Sequence, residues 1–451
     1  MDERLPAVTE AELALFTDLY ELTMLQAYWH EGMADEAVFS LFTRRLPESR
    51  NYLLACGLED ALAYLEAVRF SDDASAYLRT VGLFTEPFLE WLRSFRFTGD
   101  VYAVPEGTPV FANEPILEIV APIGEAQLAE TFLMNQVHYQ TVAASKAARI
   151  VHAAAGRGVV DFGMRRMHGT DAALKAARAF HIAGVDSTSD VLAGRVYGVP
   201  IAGTMAHSYV QAFDREIDAF RTFARIYPGT TLLVDTYDTL DGVRRVIDLA
   251  GELGGAFQVR GVRLDSGDLA DLAFGARELL DEAGLTGVRI FASGGLDEYE
   301  IERIVASGAP IDAFGVGTKM GVASDAPALD IAYKLTSYAG RGRVKLSPGK
   351  PILPGRKQVF RIEEGGRAVR DIIARYDEAL PGRPLLRKVM EGGRRLPAGR
   401  DTLDRARERA RDEIARLPDR VQGLAPAEPP YPVEISDRLR ADAAEAARRV
   451  T

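Results

Sequence analysis

Two aspartates stand where apolar, β-branched runs stop: TLLVD ends in Asp235, and GVRLD ends in Asp265 ahead of Ser266-Gly267-Asp268. Two further runs stop in glycine. VRIFA leads into Ser293-Gly294-Gly295, and IDAFGV carries Gly315 and leads into Gly317-Thr318. Carboxylates so placed suit a divalent cation or sugar hydroxyls, whereas glycines let backbone N–H groups come close to a phosphate. The four ends together outline a site for a phosphorylated sugar; taken singly, each is also readable as a helix cap or a tight turn. His207, within Ala202-Gly-Thr-Met-Ala-His-Ser208, sits among small residues after a short apolar run and is placed to accept a phosphoryl group. Its other reading is a surface or hydrogen-bonding histidine. Arg165 and Arg166 follow the run VVDFGM and offer planar donors to a carboxylate or phosphate, with surface ion pairs as the alternative.

Such residues need a frame, and the middle of the chain supplies one by alternating strand-like runs with helical stretches. The strand candidates are Val159 to Phe162, Ile182 to Val185, Val199 to Gly203, Thr231 to Asp235, Phe257 to Asp265, Val288 to Ala292 and Ile311 to Val316. Helical spacing fills Leu240 to Leu253, Leu269 to Ala283 and Leu296 to Ser307. The fold class expected is α/β, an irregular (β/α) barrel over 126–339 with an open sheet as the alternative, since seven strands are visible and an eighth is not; the site belongs at the carboxyl ends of the strands. The flanks differ. Residues 99–121 and 344–361 read as short strands broken by Pro and Gly, so a second, smaller α+β domain is expected from 1–125, completed by part of 340–451, with a helix over Leu13 to His30 on its surface. The C-terminal segment 340–451 is expected to pack on that domain and to carry an amphipathic helix over Asp401 to Leu417.

Composition narrows the chemistry. The 451 residues carry 54 Lys+Arg against 65 Asp+Glu, a net charge of −11, which argues against nucleic acid as a partner. A single cysteine, Cys56 in YLLACGL, excludes a disulfide framework and reads as a small core residue. With no long apolar run and an acidic N-terminus, a cytoplasmic location without membrane association is expected. The Gly-x-x-x-x-Gly-Lys-Ser/Thr pattern is missing, since Gly349-Lys350 runs into Pro351; the glycines of 315–321 have the wrong spacing for a dinucleotide fold, and His/Cys spacing offers no zinc site.

Several segments, taken in order, resemble the nicotinate phosphoribosyltransferase family: Thr17-Asp-Leu-Tyr-Glu-Leu-Thr-Met24, Asp161-Phe-Gly-Met-Arg-Arg166, Gly203-Thr-Met-Ala-His-Ser208, Leu233-Val-Asp-Thr-Tyr-Asp-Thr239, Val262-Arg-Leu-Asp-Ser-Gly-Asp268, Ser293-Gly-Gly295, Gly315-Val-Gly-Thr318 and Leu353-Pro-Gly-Arg-Lys-Gln-Val359. Two positions depart from the family pattern, His168 and the segment Phe42 to Arg50. The resemblance implies transfer of phosphoribosyl from phosphoribosyl pyrophosphate to nicotinate, with ATP as co-substrate through a phosphohistidine at His207. It further implies that Tyr20, Thr204 and Arg263 hold nicotinate with Arg165 beside them, and that Ser293, Gly294, Gly295, Gly315, Gly317 and Thr318 bind phosphate. Asp235 and Asp265 then lie near the ribose and a magnesium ion, in a homodimeric enzyme. The alternatives are nicotinamide phosphoribosyltransferase and a catalytically silent homologue that binds phosphoribosyl compounds.

Overall fold

A computed structural model describes residues 8–347 and 352–450; Gly349, Lys350 and Pro351 lie outside the described residues. The chain divides into two compact units, Met1–Val142 with Ala328–Thr451, and Ala143–Pro327. The second unit lies inside the 126–339 span expected for the barrel.

The second unit is built on a curled half-barrel of six parallel strands: β1 (Gly158–Asp161), β2 (Ser187–Thr188), β3 (Thr231–Leu233), β4 (Gly261–Leu264), β5 (Arg289–Ser293) and β6 (Ala313–Val316). Their order is β2-β1-β6-β5-β4-β3, and every pairing is parallel. The register sets Ser293 beside Gly315, Ala292 beside Leu264 and Leu233 beside Arg263, so strand ends far apart in sequence become neighbours. Among the described residues the ladder ends at β2 and β3 without closing, and beyond β2 a single bridge joins Ile201 to Thr188.

Helices return the chain between strands, as parallel pairing requires. Thr239–Leu253, Leu269–Glu282 and Glu298–Ala306 are capped by the side chains of Asp238, Asp268 and Asp297, and their apolar faces bury Val246, Ala273 and Ile304 against the sheet. Two expected strands are absent among the described residues. Val199 to Gly203 forms no strand and contributes the isolated bridge between Ile201 and Thr188. Ile182 to Val185 is helical for its first two residues, which close helix Thr170–Ala183 ahead of Gly184 with φ +111; the apolar residues there are the buried face of the last helical turn, and the strand that follows is Ser187–Thr188.

In the first unit a seven-stranded sheet interleaves the chain's two ends. Glu36–Thr43 pairs antiparallel with Pro115–Pro122 on one side and Ile331–Tyr338 on the other, while Asp100–Ala103 pairs with Arg387–Glu391. A four-stranded sheet is led by Lys357–Glu364 and Arg367–Arg375. Its core holds Leu22, Leu25, Phe39, Phe88 and a stacked Tyr64–Phe132 pair. The N-terminal helix is shorter than Leu13 to His30: a 3-10 turn over Glu10–Leu15 is followed by helix Leu19–His30, which starts at Asp18, a residue paired reciprocally with Thr131. Cys56 is buried, and Leu403–Arg416 forms the C-terminal amphipathic helix with Ala406 and Ala410 inward. Among the described residues no helix is long and apolar enough to cross a membrane.

Candidate active site

The carboxyl ends of β3 and β4 are joined through side chains. Asp235, just past β3, is buried, and its Oδ2 accepts the Asp265 backbone N–H at 3.2 Å and the Ser266 hydroxyl at 2.5 Å. Its Oδ1 is buried with no hydrogen-bond partner, an expensive arrangement unless something else uses the oxygen. Asp265, one residue past β4, receives the Ser293 hydroxyl and Arg263 Nη2, the latter at 2.7 Å. Burial alone would raise the Asp265 carboxyl; these two donors and the neighbouring His207 outweigh it and hold the group below the usual carboxylate range.

His207 opens the short helix His207–Gln211 and faces both acids. Its Nε2 lies 4.0 Å from Asp235 Oδ1 and 3.8 Å from Asp265 Oδ2, while Nδ1 meets the Thr236 hydroxyl at 3.2 Å. The ring is 40% exposed, so an incoming group can reach it. Arg263 ties these loops together: Nε donates to Ser293 Oγ at 2.8 Å and Nη1 to Thr204 Oγ1 at 3.0 Å, and the guanidinium lies 5.2 Å from the centre of the Phe162 ring.

Past β5 and β6 the backbone takes over. Gly294 adopts φ +99, and a Cβ there would meet the Asp265 carbonyl oxygen at 1.9 Å, so only glycine lets the Ser293–Gly295 turn lie against β4. A Cβ on Gly315 would meet the Phe162 ring at 2.7 Å. Gly317 precedes the turn Thr318–Gly321, and the Thr318 hydroxyl accepts Arg166 Nη1 at 3.2 Å.

His207, Asp235, Asp265, Thr204, Arg263 and Ser293 thus form one contact network, with Gly294 packed on it; Gly315, Gly317 and Thr318 lie beside Phe162 and Arg166. Arg165 is exposed on the turn Met164–Arg166. Tyr20 belongs to the other unit, exposed on helix Leu19–His30; partial burial and then the carboxylate of Glu130 push its phenol up, keeping it neutral. Four contributors were not singled out from the sequence. Thr236 and Ser266 immediately follow the aspartates they serve, and Phe162 supplies a ring under Arg263. Asp161 ends β1 just as Asp235 follows β3, so the strand-end rule that found one applies to the other. It is buried, accepts Gly163 N–H at 2.7 Å and Thr188 Oγ1 at 2.8 Å, and burial raises its carboxyl to about 6. Among the described residues no cluster of three or more His, Cys, Asp or Glu side chains is arranged to hold a metal by itself.

Comparison with known proteins adds a second line. Residues 15–138 match the model of the nicotinate phosphoribosyltransferase (NAPRTase) N-terminal domain, and residues 158–358 that of the nicotinate phosphoribosyltransferase (NAPRTase) family. The chain is 57% identical over 426 residues to nicotinate phosphoribosyltransferase pncB2 of Mycobacterium tuberculosis, covering 94% of this chain and 92% of that one. It is 45% identical to the nicotinate phosphoribosyltransferase of Bacillus subtilis, covering 83% and 79%. The crystal structure of human nicotinic acid phosphoribosyltransferase is similar with a TM-score of 0.84 at 30% identity, covering 95% of this chain and 99% of that chain.

Proposed function

The chain belongs to the nicotinate phosphoribosyltransferase family, and from that premise we propose that it transfers phosphoribosyl from phosphoribosyl pyrophosphate to nicotinate, releasing nicotinate mononucleotide and pyrophosphate. The observation that carries this reading is the convergence of Asp235, Asp265 and Arg263 at two neighbouring strand ends with His207 facing both acids, and the tie from Arg263 to Ser293 at a third strand end that continues into a glycine turn.

In the transfer the pyridine nitrogen of nicotinate forms a bond to the anomeric carbon while the bond from that carbon to pyrophosphate breaks, its electron pair leaving with the diphosphate. The nitrogen is a neutral nucleophile and needs no base, so the rate rests on positioning and charge. Positive charge builds on the sugar. Asp265, held ionised by Arg263 and Ser293, is suited to favour it, and the backbone N–H groups of Ser293–Gly295 and Gly315–Thr318 are suited to the phosphate. Arg263, Thr204 and Arg165 are assigned to the nicotinate carboxylate, and Tyr20 to stacking on its ring; a carboxylate pairs with two guanidinium N–H groups where an amide cannot, which favours nicotinate over nicotinamide.

Magnesium fits the donors present. Asp235 Oδ1 is a hard, buried oxygen without a partner, Asp265 Oδ2 lies on the same side of His207, and magnesium typically takes one or two carboxylates and fills its remaining positions with water and substrate phosphate. Bound by Asp235 and Asp265, it would supply charge neutralisation at the departing pyrophosphate.

ATP enters as co-substrate by phosphorylating His207: Nε2 forms a bond to the γ-phosphorus while the bond to the β–γ bridging oxygen breaks and ADP leaves, and water later cleaves the nitrogen–phosphorus bond to release phosphate. A phosphoryl group on Nε2 would carry its negative charge toward two carboxylates already near that atom, and the repulsion gives the 203–208 loop a reason to move, which is how hydrolysis would be coupled to binding. The reading also includes a cytoplasmic homodimer and an irregular (β/α) barrel over 126–339, beside a smaller α+β domain formed by 1–125 and part of 340–451. Product formation measured with nicotinate, nicotinamide and quinolinate, each with and without ATP, tests it. Nicotinate turnover stimulated by ATP is expected. A preference for nicotinamide would move the chain to the sister activity, and no turnover with any acceptor would leave a silent phosphoribosyl binder.

A further inference from the structure

The turns after β5 and β6 are joined by charge as well as by sheet pairing. Lys319, next after Thr318, donates from Nζ to Asp297 Oδ2 at 2.7 Å. Asp297 follows the Ser293–Gly295 turn closely, and its Oδ1 accepts the Glu300 backbone N–H at 2.9 Å, capping helix Glu298–Ala306. The next residue, Glu298, is fully buried and receives Lys146 together with Arg149 Nε, the latter at 2.9 Å; Lys146 Nζ also reaches Asp325 Oδ1 at 2.7 Å, beyond the turn Thr318–Gly321. Three cations and three carboxylates therefore interleave around the two turns, and one pair, Lys319–Asp297, spans directly from one to the other.

We propose that the Lys319–Asp297 pair is a positioning latch that sets the separation of the Ser293–Gly295 and Gly315–Thr318 turns and thereby the affinity for the donor's sugar phosphate. This rests on the reading of those turns as the phosphate seat. The amine of Lys319 is already engaged by a carboxylate that is itself fixed by a helix cap, which suits a brace better than a mobile ligand. A half-exposed ion pair contributes little to overall stability, but two backbone turns set slightly apart misplace every N–H aimed at the phosphate. Lys319 acts through those turns and is not itself a catalytic residue.

The test uses the full chain and two single variants. Asp297→Asn keeps a good helix cap while removing the charge, and Lys319→Met alters a half-exposed side chain, so thermal unfolding should show both folded. Each is expected to raise KM for phosphoribosyl pyrophosphate by about tenfold, with kcat and KM for nicotinate within about threefold of wild type. Calorimetry with ribose 5-phosphate should show the same loss without any turnover. The double variant, Asp297→Asn with Lys319→Met, is expected to raise the donor KM no further than either single variant, because both remove the same pair. Single variants within about threefold of wild type would overturn the latch, and so would a double variant whose losses multiply, because that marks Lys319 as a direct phosphate ligand. A wild-type enzyme without nicotinate turnover would instead count against the activity assigned above and leave the calorimetric comparison to decide the latch.

Discussion

The two halves of the candidate site are made in opposite ways. At β3 and β4 the strand ends present side chains that carry charge, with Asp235, Asp265 and Arg263 each held by at least one named partner. At β5 and β6 the strand ends run into backbone turns, and past the Ser293 hydroxyl what matters is the missing Cβ of Gly294 and Gly315. The first half is built to respond to charge that changes during a reaction. The second is built to receive charge that does not change, as on a sugar phosphate, with donors fixed before the ligand arrives.

The contrast breaks first where charge is removed. Asp265→Asn leaves the shape of the side chain but not its charge, and the expected loss in kcat is on the order of a thousandfold, measured at saturating donor and nicotinate; a loss under tenfold would separate this acid from the chemistry. Arg263→Ala removes the link among Thr204, Ser293 and Asp265 as well as a donor to the acceptor's carboxylate. A fall of about a hundredfold in kcat/KM for nicotinate is expected, with a much smaller fall for nicotinamide; equal falls would reduce Arg263 to a structural tie.

The backbone half answers to a different probe. Gly294→Ala must open the contact with the Asp265 carbonyl and hold a left-handed residue, so a stability loss of about 1 to 3 kcal/mol in urea unfolding and a roughly tenfold rise in donor KM are expected. Gly295→Ala, at φ +66 with open space around its Cβ, should cost only about 1 kcal/mol. If the two variants matched, close approach would not be what selects glycine there.

The smallest catalytic effect is expected at Asp161, whose buried carboxyl is raised from the ordinary 3.8 to about 6. The folded state holds this proton more tightly than the unfolded chain, so the contribution to stability is full below about pH 4 and is lost as pH rises through about 6. Asp161→Asn lacks that dependence. Between pH 5 and pH 8 the variant should gain about 1 to 2 kcal/mol relative to wild type in unfolding free energy, and an unchanged difference would mean that Asp161 is not protonated in the fold.

The same contrast explains what the sequence made legible. Asp235, Asp265 and the glycine turns stood out because each follows an apolar β-branched run, and the parallel register then brings those ends together. Ile182 to Val185 misled because a buried last helical turn and a short strand have the same composition, and only Gly184 separates them. The break at Asp18 depends on Thr131, a partner remote in the chain. Lys319 and Asp297 were invisible for the same reason: neither belongs to a motif, and their pairing exists only once two turns become neighbours.

Crystals grown with phosphoribosyl pyrophosphate and nicotinate test the central claim most directly. The account expects the sugar phosphate on the backbone of Ser293–Gly295 and Gly315–Thr318, the anomeric carbon beside Asp235 and Asp265, and the nicotinate carboxylate on Arg263. A donor bound away from these strand ends, or lying the other way with its sugar phosphate on the aspartate side, would contradict it.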